Sequence, residues 1–200
     1  MEVPETARRR GRPRGFEETA MLDAAVEAFW RRGYARTSIG DISAATGVAT
    51  SSLYHAYGSK LDLFAHAFDR YLDVTIRQFL DPLEFGSSGL ADIDAYFENL
   101  ARSARSGRPG CLAANTIGEM RDAPPLIVDR MRRYRELLRG AFAGTLARAA
   151  ESGEVPPHVV GPRADALYAI AIASSLLMAA GAPTHDVRQL QEAGRLLAVP

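Results

Sequence analysis

Cysteine and long uncharged segments are both scarce in this sequence. Cys111 is the only cysteine among 200 residues, which excludes a disulfide within the chain and a zinc site of paired cysteines. The single thiol fits a reducing cytosol. Secretion is not indicated, because the start of the sequence shows no apolar segment of the kind found in a signal peptide. The longest uncharged stretch, residues 166–182, consists mainly of alanine and serine and is too weakly apolar for a membrane span. We therefore expect a cytoplasmic protein without a membrane partner, in which this stretch forms a buried helix.

Net charge is also lacking, because 24 basic side chains balance 24 acidic ones. A zero net charge argues against a protein that compacts DNA without sequence selectivity, since such binding needs a large positive charge. The basic residues are nevertheless unevenly placed, with five arginines and no acid between Arg8 and Arg14. This basic segment is typical of a nucleic-acid-binding arm, and a solvated disordered tail is the alternative.

Catalytic motifs are absent as well. The chain has no HExxH spacing, no GxSxG motif and no glycine-rich phosphate loop, and Cys111 has no evident histidine partner. Its four histidines are scattered, at His55, His66, His158 and His185. We therefore predict no catalytic residue, no metal site and no cofactor, and keep an enzyme only as the alternative from another functional class.

Apolar residues spaced three and four apart predict helices along most of the chain, and no segment alternates with the period of a strand. Asp81 and Pro82 are predicted to stop the fourth helix. Five arginines between Arg130 and Arg139 lie off the apolar stripe of the seventh helix, where they form a solvated face or, alternatively, a second DNA surface. The predicted fold class is all-α with about nine helices, over residues 16–33, 38–45, 50–57, 60–80, 93–104, 112–120, 127–146, 162–181 and 185–197.

The second and third predicted helices are separated by a tight turn at Gly47, which matches a helix-turn-helix unit. The third helix opens with the short polar side chains of residues 50–52, which would point into a major groove and reach base edges or phosphates. A helical hairpin in any all-α protein shows a similar pattern. The spacing alone therefore leaves both interpretations open.

Between residues 11 and 68, several short motifs follow one another in a characteristic order. They are an apolar first helix ending in Phe29 and then Gly33-Tyr34, Thr37-Ser38 before Ile42, Gly47-Val48, Leu53-Tyr54 with the aromatic Tyr57, and Lys60-Leu61. By these motifs the chain resembles the DNA-binding domain of the TetR family of bacterial transcriptional regulators. One position departs from the family pattern, because Ala56 stands where a histidine often precedes the aromatic residue, and His55 lies one position earlier. A phosphate contact from position 56 is therefore in doubt.

The resemblance implies a set of DNA contacts on this half of the chain. The expected phosphate contacts are Thr37, Ser38, Tyr54 and Lys60, and the expected base contacts are Thr50, Ser51 and Ser52. A flexible arm would contact the minor groove or the DNA backbone through Arg12 and Arg14. His55 and Tyr57 complete the set of expected DNA contacts. The alternative for Tyr54 and Tyr57 is ordinary core packing, and the alternative for Lys60 is a surface cation.

The resemblance also implies the organisation and the role of the whole chain. It implies a flexible basic arm over residues 1–15, a helix-turn-helix DNA-binding domain over residues 16–60, and a helical ligand-binding and dimerisation domain over residues 61–200. The expected function is a ligand-responsive transcriptional regulator, by default a repressor. It would bind a palindromic double-stranded DNA operator as a homodimer and be released by a small-molecule effector.

The C-terminal part of the family holds a small-molecule pocket and dimerises through its last two long helices. Small residues are expected to let these helices approach a second copy: Ala169, Ala171, Ala173, Ser174, Ala179 and Ala180, with Leu176, Leu177 and Met178 filling the seam. An alternative trigger is a redox or electrophile sensor at Cys111, which is otherwise a small buried apolar residue. The expected pocket walls, for which ordinary core packing is the alternative, are Phe68, Leu72, Tyr96, Phe97, Leu100, Cys111, Asn115, Met120, Tyr134, Leu138 and Tyr168.

Overall fold

The structure, a computed structural model, describes residues 14–104 and 109–197, and no β-strand occurs within them. The described chain forms nine continuous helical rods, which confirms the all-α prediction. A π-helical segment, Leu72–Ile76, joins α4 to α5 in one rod, and a short 3₁₀ turn, Pro157–Val159, precedes α9. The helices are α1 (Arg14–Arg32), α2 (Ile39–Thr46), α3 (Thr50–Tyr57), α4 (Lys60–Tyr71), α5 (Arg77–Phe85), α6 (Leu90–Ala104), α7 (Leu112–Glu119), α8 (Pro125–Glu151), α9 (Val160–Ala179) and α10 (Thr184–Leu196).

The first helix begins inside the segment that the sequence predicts to be a flexible arm. Arg14 is already the first residue of α1, so the arm expected over residues 1–15 is too long at its C-terminal end. Arg12, the other arginine expected to contact DNA from this arm, lies outside the described residues.

The rod of α4 and α5 runs through Pro82, whereas the sequence predicts its end near Leu80. Proline lacks the amide hydrogen that a helix normally uses, so the turn around it depends on other contacts. Thr145 Oγ1 and Arg148 Nη2 of α8 donate to the Leu83 carbonyl oxygen at 2.8 and 2.6 Å. Leu80 and Leu83 are also buried. The buried leucines and the two hydrogen bonds to the Leu83 carbonyl therefore hold the last turn of the helix, beyond the proline, against α8.

An aromatic cluster joins α1 to α4 in the N-terminal part. The Phe29 ring meets the edge of the Phe64 ring at a centroid distance of 4.9 Å, and Phe64 in turn contacts Phe68 at 5.8 Å. Tyr34, in the turn after α1, packs on Phe64 at 5.0 Å. Edge-to-face contacts of this kind are favourable because the positive ring edge meets the negative ring face. The cluster therefore fixes the start of the helix-turn-helix unit against the helix that follows it.

Arginines of α8 pair with acids of the neighbouring rod. Arg130 Nη2 lies 2.5 Å from Asp69 Oδ2, and Arg133 Nη2 lies 2.6 Å from Asp73 Oδ1. Arg130 also donates through Nε to the carbonyl oxygen of Ala65 at 3.0 Å. These contacts tie α8 to α4 within the chain, and they give no support to a second DNA surface on this helix.

The ninth helix is apolar on all sides, although the chain covers only part of it. Ala171 and Ser174 are buried within the chain, at 1% and 0% exposure, where α9 packs on α8 and α10. This corrects the expectation that these two residues face a second copy. Ala169, Leu176 and Ala180 are exposed along another stripe, with Leu176 at 36%. Neither α9 nor any other helix in the described parts has the length and apolarity of a membrane span.

Candidate nucleic-acid interface and adjoining cavity

The helix-turn-helix unit of α2 and α3 is held by local caps. Ser38 Oγ accepts a hydrogen bond from the Asp41 amide at 3.1 Å, and the Asp41 carboxylate accepts one from the Ser38 amide at 2.8 Å. Gly47 ends α2 with a φ of 72°, a left-handed conformation that glycine adopts without strain. Ile42 and Leu53 are buried, one on each helix. Sequence elements within 20 residues therefore set the angle at which α3 leaves the turn.

The first turns of α3 present a polar surface. Thr50, Ser51 and Ser52 are all exposed, and His55 is exposed on the following turn. Tyr54 leaves half of its side chain in solvent, at 50% exposure. The side chains expected to contact bases and one expected to contact phosphate thus lie free on one short helix. An α-helix of this kind fits the width of a major groove.

The hydroxyls at the start of α2 are already engaged within the chain. Thr37 is fully buried, and its Oγ1 donates to the Gly33 carbonyl oxygen at 2.7 Å, so the side chain is turned away from any phosphate. This corrects the expected contact at Thr37. Ser38 is exposed, but its Oγ donates to Asp41 Oδ2 at 2.6 Å. The hydrogen bonds from Ser38 lower the pKa of the Asp41 carboxyl, with a smaller contribution from Arg32.

Lys60 begins α4 beside the turn that precedes α2. Its Nζ lies 4.2 Å above the centre of the Tyr34 ring and 3.5 Å from the Ala35 carbonyl oxygen. A cation above an aromatic face is attracted by the ring quadrupole, which holds the ammonium near the protein surface. Lys60 therefore has a defined position and keeps hydrogens available for an external acceptor.

Tyr57 packs against two other helices, which is the alternative that the sequence leaves open for this residue. Its hydroxyl donates to Glu18 Oε1 on α1 at 3.4 Å, and its ring meets the edge of His66 on α4 at 5.2 Å. Burial, followed by the negative charge of Glu18, raises the pKa of Tyr57 to about 12. Tyr57 therefore joins α3 to α1 and α4, and its expected contact with DNA stays a prediction.

A cavity lies between α1, the α4–α5 rod, α6, α7, α8 and α9. Its free volume is about 30 Å³. Of the eleven expected pocket residues, five line it: Tyr96, Leu100, Cys111, Tyr134 and Leu138. The sequence missed Trp30, Tyr71, Ile76, Phe79, Leu80, Ser103, Gly110 and Ser175.

The other six expected residues have different places in the structure. Phe68, Leu72 and Phe97 belong to the closed core. Asn115 lines a separate cleft between α1 and α7, while Met120 and Tyr168 are half-buried against the core. These positions correct the expected pocket, and a π-helical turn gives part of the reason. It inserts an extra residue into the helical repeat after Tyr71, which changes the side chains that face inward.

The thiol of Cys111 is the centre of a polar cluster in this cavity. The Tyr71 hydroxyl donates to Cys111 Sγ at 3.2 Å, and the thiol donates to the Tyr134 hydroxyl at 3.4 Å. Cys111 is also the residue immediately before α7. The backbone approaches α9 closely here, because a Cβ on Gly110 would lie 2.1 Å from the Ser175 carbonyl oxygen. Glycine before the cysteine thus allows α7 to start directly at the cavity wall.

Three hydrogen bonds connect α7 and the segment before it to α1 and to the turn ahead of α2. Trp30 Nε1 of α1 donates to the Gly110 carbonyl oxygen at 3.0 Å in a buried position. At the other end of α7, the Glu119 carboxylate accepts hydrogen bonds from the backbone amides of Tyr34 and Ala35, at 2.9 and 2.7 Å. One short helix therefore runs from the cavity to the turn that carries the Tyr34 ring and precedes α2.

The described residues contain no group of three or more histidine, cysteine or acidic side chains placed to hold a metal ion. The cavity walls in the same part of the chain carry no charged side chain. The chemistry available there is hydrogen bonding by phenols, hydroxyls and a thiol against an apolar surface.

Two family models match the chain. One, described as bacterial regulatory proteins of the tetR family, matches residues 14–67, and the other, described as a tetracyclin repressor-like C-terminal domain, matches residues 89–193. The chain is 30% identical over 153 residues to the HTH-type transcriptional repressor ComR of Escherichia coli, covering 74% of this chain and 72% of ComR. It is 31% identical over 147 residues to the uncharacterized HTH-type transcriptional regulator YezE of Bacillus subtilis, covering 72% and 76% of the two chains.

Solved structures share the fold. A cysteine-substituted form of the TetR family regulator CifR, in complex with a 26-base-pair operator DNA, matches with a TM-score of 0.79 at 23% identity, over 95% of this chain and 100% of that one. A TetR family regulator from Agrobacterium tumefaciens matches with a TM-score of 0.81 at 21% identity, over 94% and 100%. At these identities the likeness establishes the architecture.

The link through Glu119 leads to a prediction about amide exchange. In Glu119→Ala the amides of Tyr34 and Ala35 lose their acceptor, and we expect them to exchange with solvent about tenfold faster. Hydrogen exchange measured by NMR on the folded protein tests this. The control is Glu136→Ala, which removes an exposed glutamate of α8 and should leave both amides unchanged. Equal exchange in wild type and Glu119→Ala would show that the carboxylate does not hold the turn.

Proposed function

The chain belongs to the TetR family of bacterial regulatory proteins, and from this premise we propose that it is a ligand-released repressor that binds a palindromic operator as a homodimer. The observation that carries the proposal is the exposed polar start of α3, at the end of a capped helix-turn-helix unit. The structurally similar CifR forms a complex with operator DNA, which supports an operator as the proposed partner. The proposed site of action is the cytoplasm, and no catalytic step is part of the proposal.

The proposed contacts divide into those that read sequence and those that position the protein. The short polar side chains of Thr50, Ser51 and Ser52 let the start of α3 lie close to the bases, where their hydroxyls would contact base edges in the major groove. The exposed Tyr54 hydroxyl and the Lys60 ammonium are placed to contact phosphates, which fix register without carrying sequence information. His55, Ser38, Tyr57 and the arm arginines Arg12 and Arg14 are additional proposed contacts. Thr37 is left out because its side chain is fully buried.

The surface of α9 supports the dimer. A helix that is apolar on every side is normally covered on every side, and here the stripe with Ala169, Leu176 and Ala180 is exposed in the single chain. Packing this stripe against the same stripe of a second copy would complete a four-helix arrangement with α10. A two-fold dimer also doubles the few base contacts of one short recognition helix, which is why the proposed operator is palindromic.

The cavity is the proposed effector site. Its free volume of about 30 Å³ is far below that of a site for a small organic molecule, so a ligand has to separate the walls. Tyr71 belongs to the rod that starts at Lys60, and Cys111 is attached to the α7 helix that ends at Glu119. Movement of either wall would therefore change the position of α2 and α3, and it would release the operator by separating or tilting the two recognition helices.

The division of DNA contacts predicts two kinds of variant. Lys60→Ala and Tyr54→Phe should weaken binding to operator and random DNA alike, and Lys60→Ala should lower the salt-dependence slope by about one. Ser51→Ala or Ser52→Ala should change the preferred bases instead, by about 1–3 kcal/mol at the contacted position. Fluorescence anisotropy with both DNAs at several salt concentrations measures this. Tyr168→Phe on α9 is the matched control for Tyr54→Phe. Altered base preference with intact affinity in Lys60→Ala would contradict the assigned roles.

The dimer is tested by placing a charge on the exposed stripe. Leu176→Glu should convert the protein to a monomer at micromolar concentration and remove selective operator binding, because a buried unpaired carboxylate opposes association. Light scattering reports the mass. Val128→Glu is the control, since it places the same charge at a similarly exposed position on α8. A wild-type monomer that still binds the operator selectively would overturn the proposed dimer.

A second candidate function keeps the DNA-binding scaffold and makes Cys111 the sensor. It is favoured by the position of the thiol, which lines the cavity and immediately precedes α7. The thiol would add across the double bond of an activated alkene. The sulfur forms a bond to one alkene carbon and the thiol proton ends on the other, so no external oxidant is required. N-Ethylmaleimide should then release wild-type protein from operator DNA while leaving Cys111→Ser bound. Equal release of both proteins, or release of neither, would exclude this trigger.

A further inference from the structure

We propose that the cavity takes a compact, uncharged, mainly apolar molecule with a hydrogen-bond acceptor, such as an aromatic ketone or ester, and that Tyr96 is its principal donor. This inference rests on the proposed function, in which the same cavity is the effector site. It names the chemical class of a ligand for that site.

The walls determine the apolar character of the ligand. Rings and aliphatic side chains surround the space, including Trp30, Phe79 and Leu138, and no charged side chain is among its described walls. An ion buried without a partner of opposite charge loses far more hydration energy than apolar contact returns. The cavity therefore disfavours a carboxylate, a phosphate or an ammonium group.

The polar side chains in the cavity carry hydrogens that their hydrogen bonds to one another do not use. Tyr71, Tyr96, Tyr134 and Cys111 carry four polar hydrogens, one on each side chain. The two contacts of the thiol, with Tyr71 and Tyr134, use two of these hydrogens whichever way they are oriented. At least two hydrogens are therefore left over within this cluster, and a ligand that supplies an acceptor would use one or both.

Tyr96 is the clearest of the unused donors. Its side chain is only 5% exposed and lines the cavity, and within the described chain its hydroxyl has no hydrogen-bond partner. Its ring is held in place by edge-on contacts with Phe97 at 5.3 Å and Phe142 at 5.0 Å. Because Tyr96 lines the free space of the cavity, a ligand acceptor placed there would form a hydrogen bond that the described chain does not itself provide.

The ionisation of the tyrosines agrees with a preference for neutral ligands. Burial, and then the proximity of Cys111, raises the pKa of Tyr96, and the same causes raise the pKa values of Tyr71 and Tyr134. The site thus opposes a negative charge on its own phenols. It would oppose the negative charge of a bound carboxylate for the same reason, and at neutral pH all three phenols keep their hydrogens for donation.

Three probes of one size separate these properties: acetophenone has a carbonyl acceptor, ethylbenzene has none, and benzoate is charged. Isothermal titration calorimetry with the full-length protein should show acetophenone binding about fivefold more tightly than ethylbenzene, which corresponds to one hydrogen bond, and no benzoate binding. Tyr96→Phe should remove the advantage of acetophenone and leave ethylbenzene binding unchanged. Tyr168→Phe, outside the cavity, should change neither.

The outcomes distinguish the ligand class from the switch. Benzoate binding as tightly as acetophenone, equal binding of acetophenone and ethylbenzene, or no binding of any probe would overturn the proposed ligand class. Retention of the acetophenone advantage in Tyr96→Phe, with loss of that advantage in Tyr134→Phe, would overturn the role of Tyr96. Operator affinity is measured in the same samples by anisotropy. If acetophenone binds as expected while operator affinity stays the same, the ligand class stands and the proposed release mechanism fails.

Discussion

The carboxylate of Glu119, bound to two backbone amides of the turn ahead of α2, connects the far end of α7 to the helix-turn-helix unit. The α7 helix that carries it has eight residues and is about 12 Å long, too short to absorb much movement by bending. A displacement at its Cys111 end is therefore transmitted to its other end. The turn that receives it also supports Lys60 through the Tyr34 ring.

The first helix shares the cavity wall with α7, which gives the DNA-binding half a second connection. Trp30 lines the cavity with its ring and donates to the Gly110 carbonyl oxygen with its Nε1. Gly110 in turn lies against the backbone of α9 at Ser175, with no space for a side chain. Because α1 packs on both α2 and α4, a change in the cavity bears on the helix-turn-helix unit directly as well as through Glu119.

The sequence was most informative where structure is local. The tight turn at Gly47 and the periodicity of the helices act within a few residues, and the structure has both of them. The cavity walls depend instead on how each helix is rotated, and the π-helical turn after Tyr71 changes that rotation in a way that apolar spacing does not record. The bonds of Glu119 join residues 84 and 85 positions apart, so no local pattern predicts them.

In the proposed switch, the small size of the cavity supplies the discrimination between two states. A free volume of about 30 Å³ holds about two water molecules, so a single-ring compound fits only after the walls have separated. A ligand that binds the expanded state and not the compact one has the differential affinity that a population shift requires, about 5.5 kcal/mol for a change from 1:99 to 99:1. Trp30 and Gly110 are joined by a hydrogen bond across the cavity wall, so expansion of the cavity would displace α1 or α7. Both helices contact the turn ahead of α2. A hydrogen bond from the Tyr96 hydroxyl to the ligand, and apolar contacts with the rings around it, would then provide part of the free energy that stabilises the expanded state.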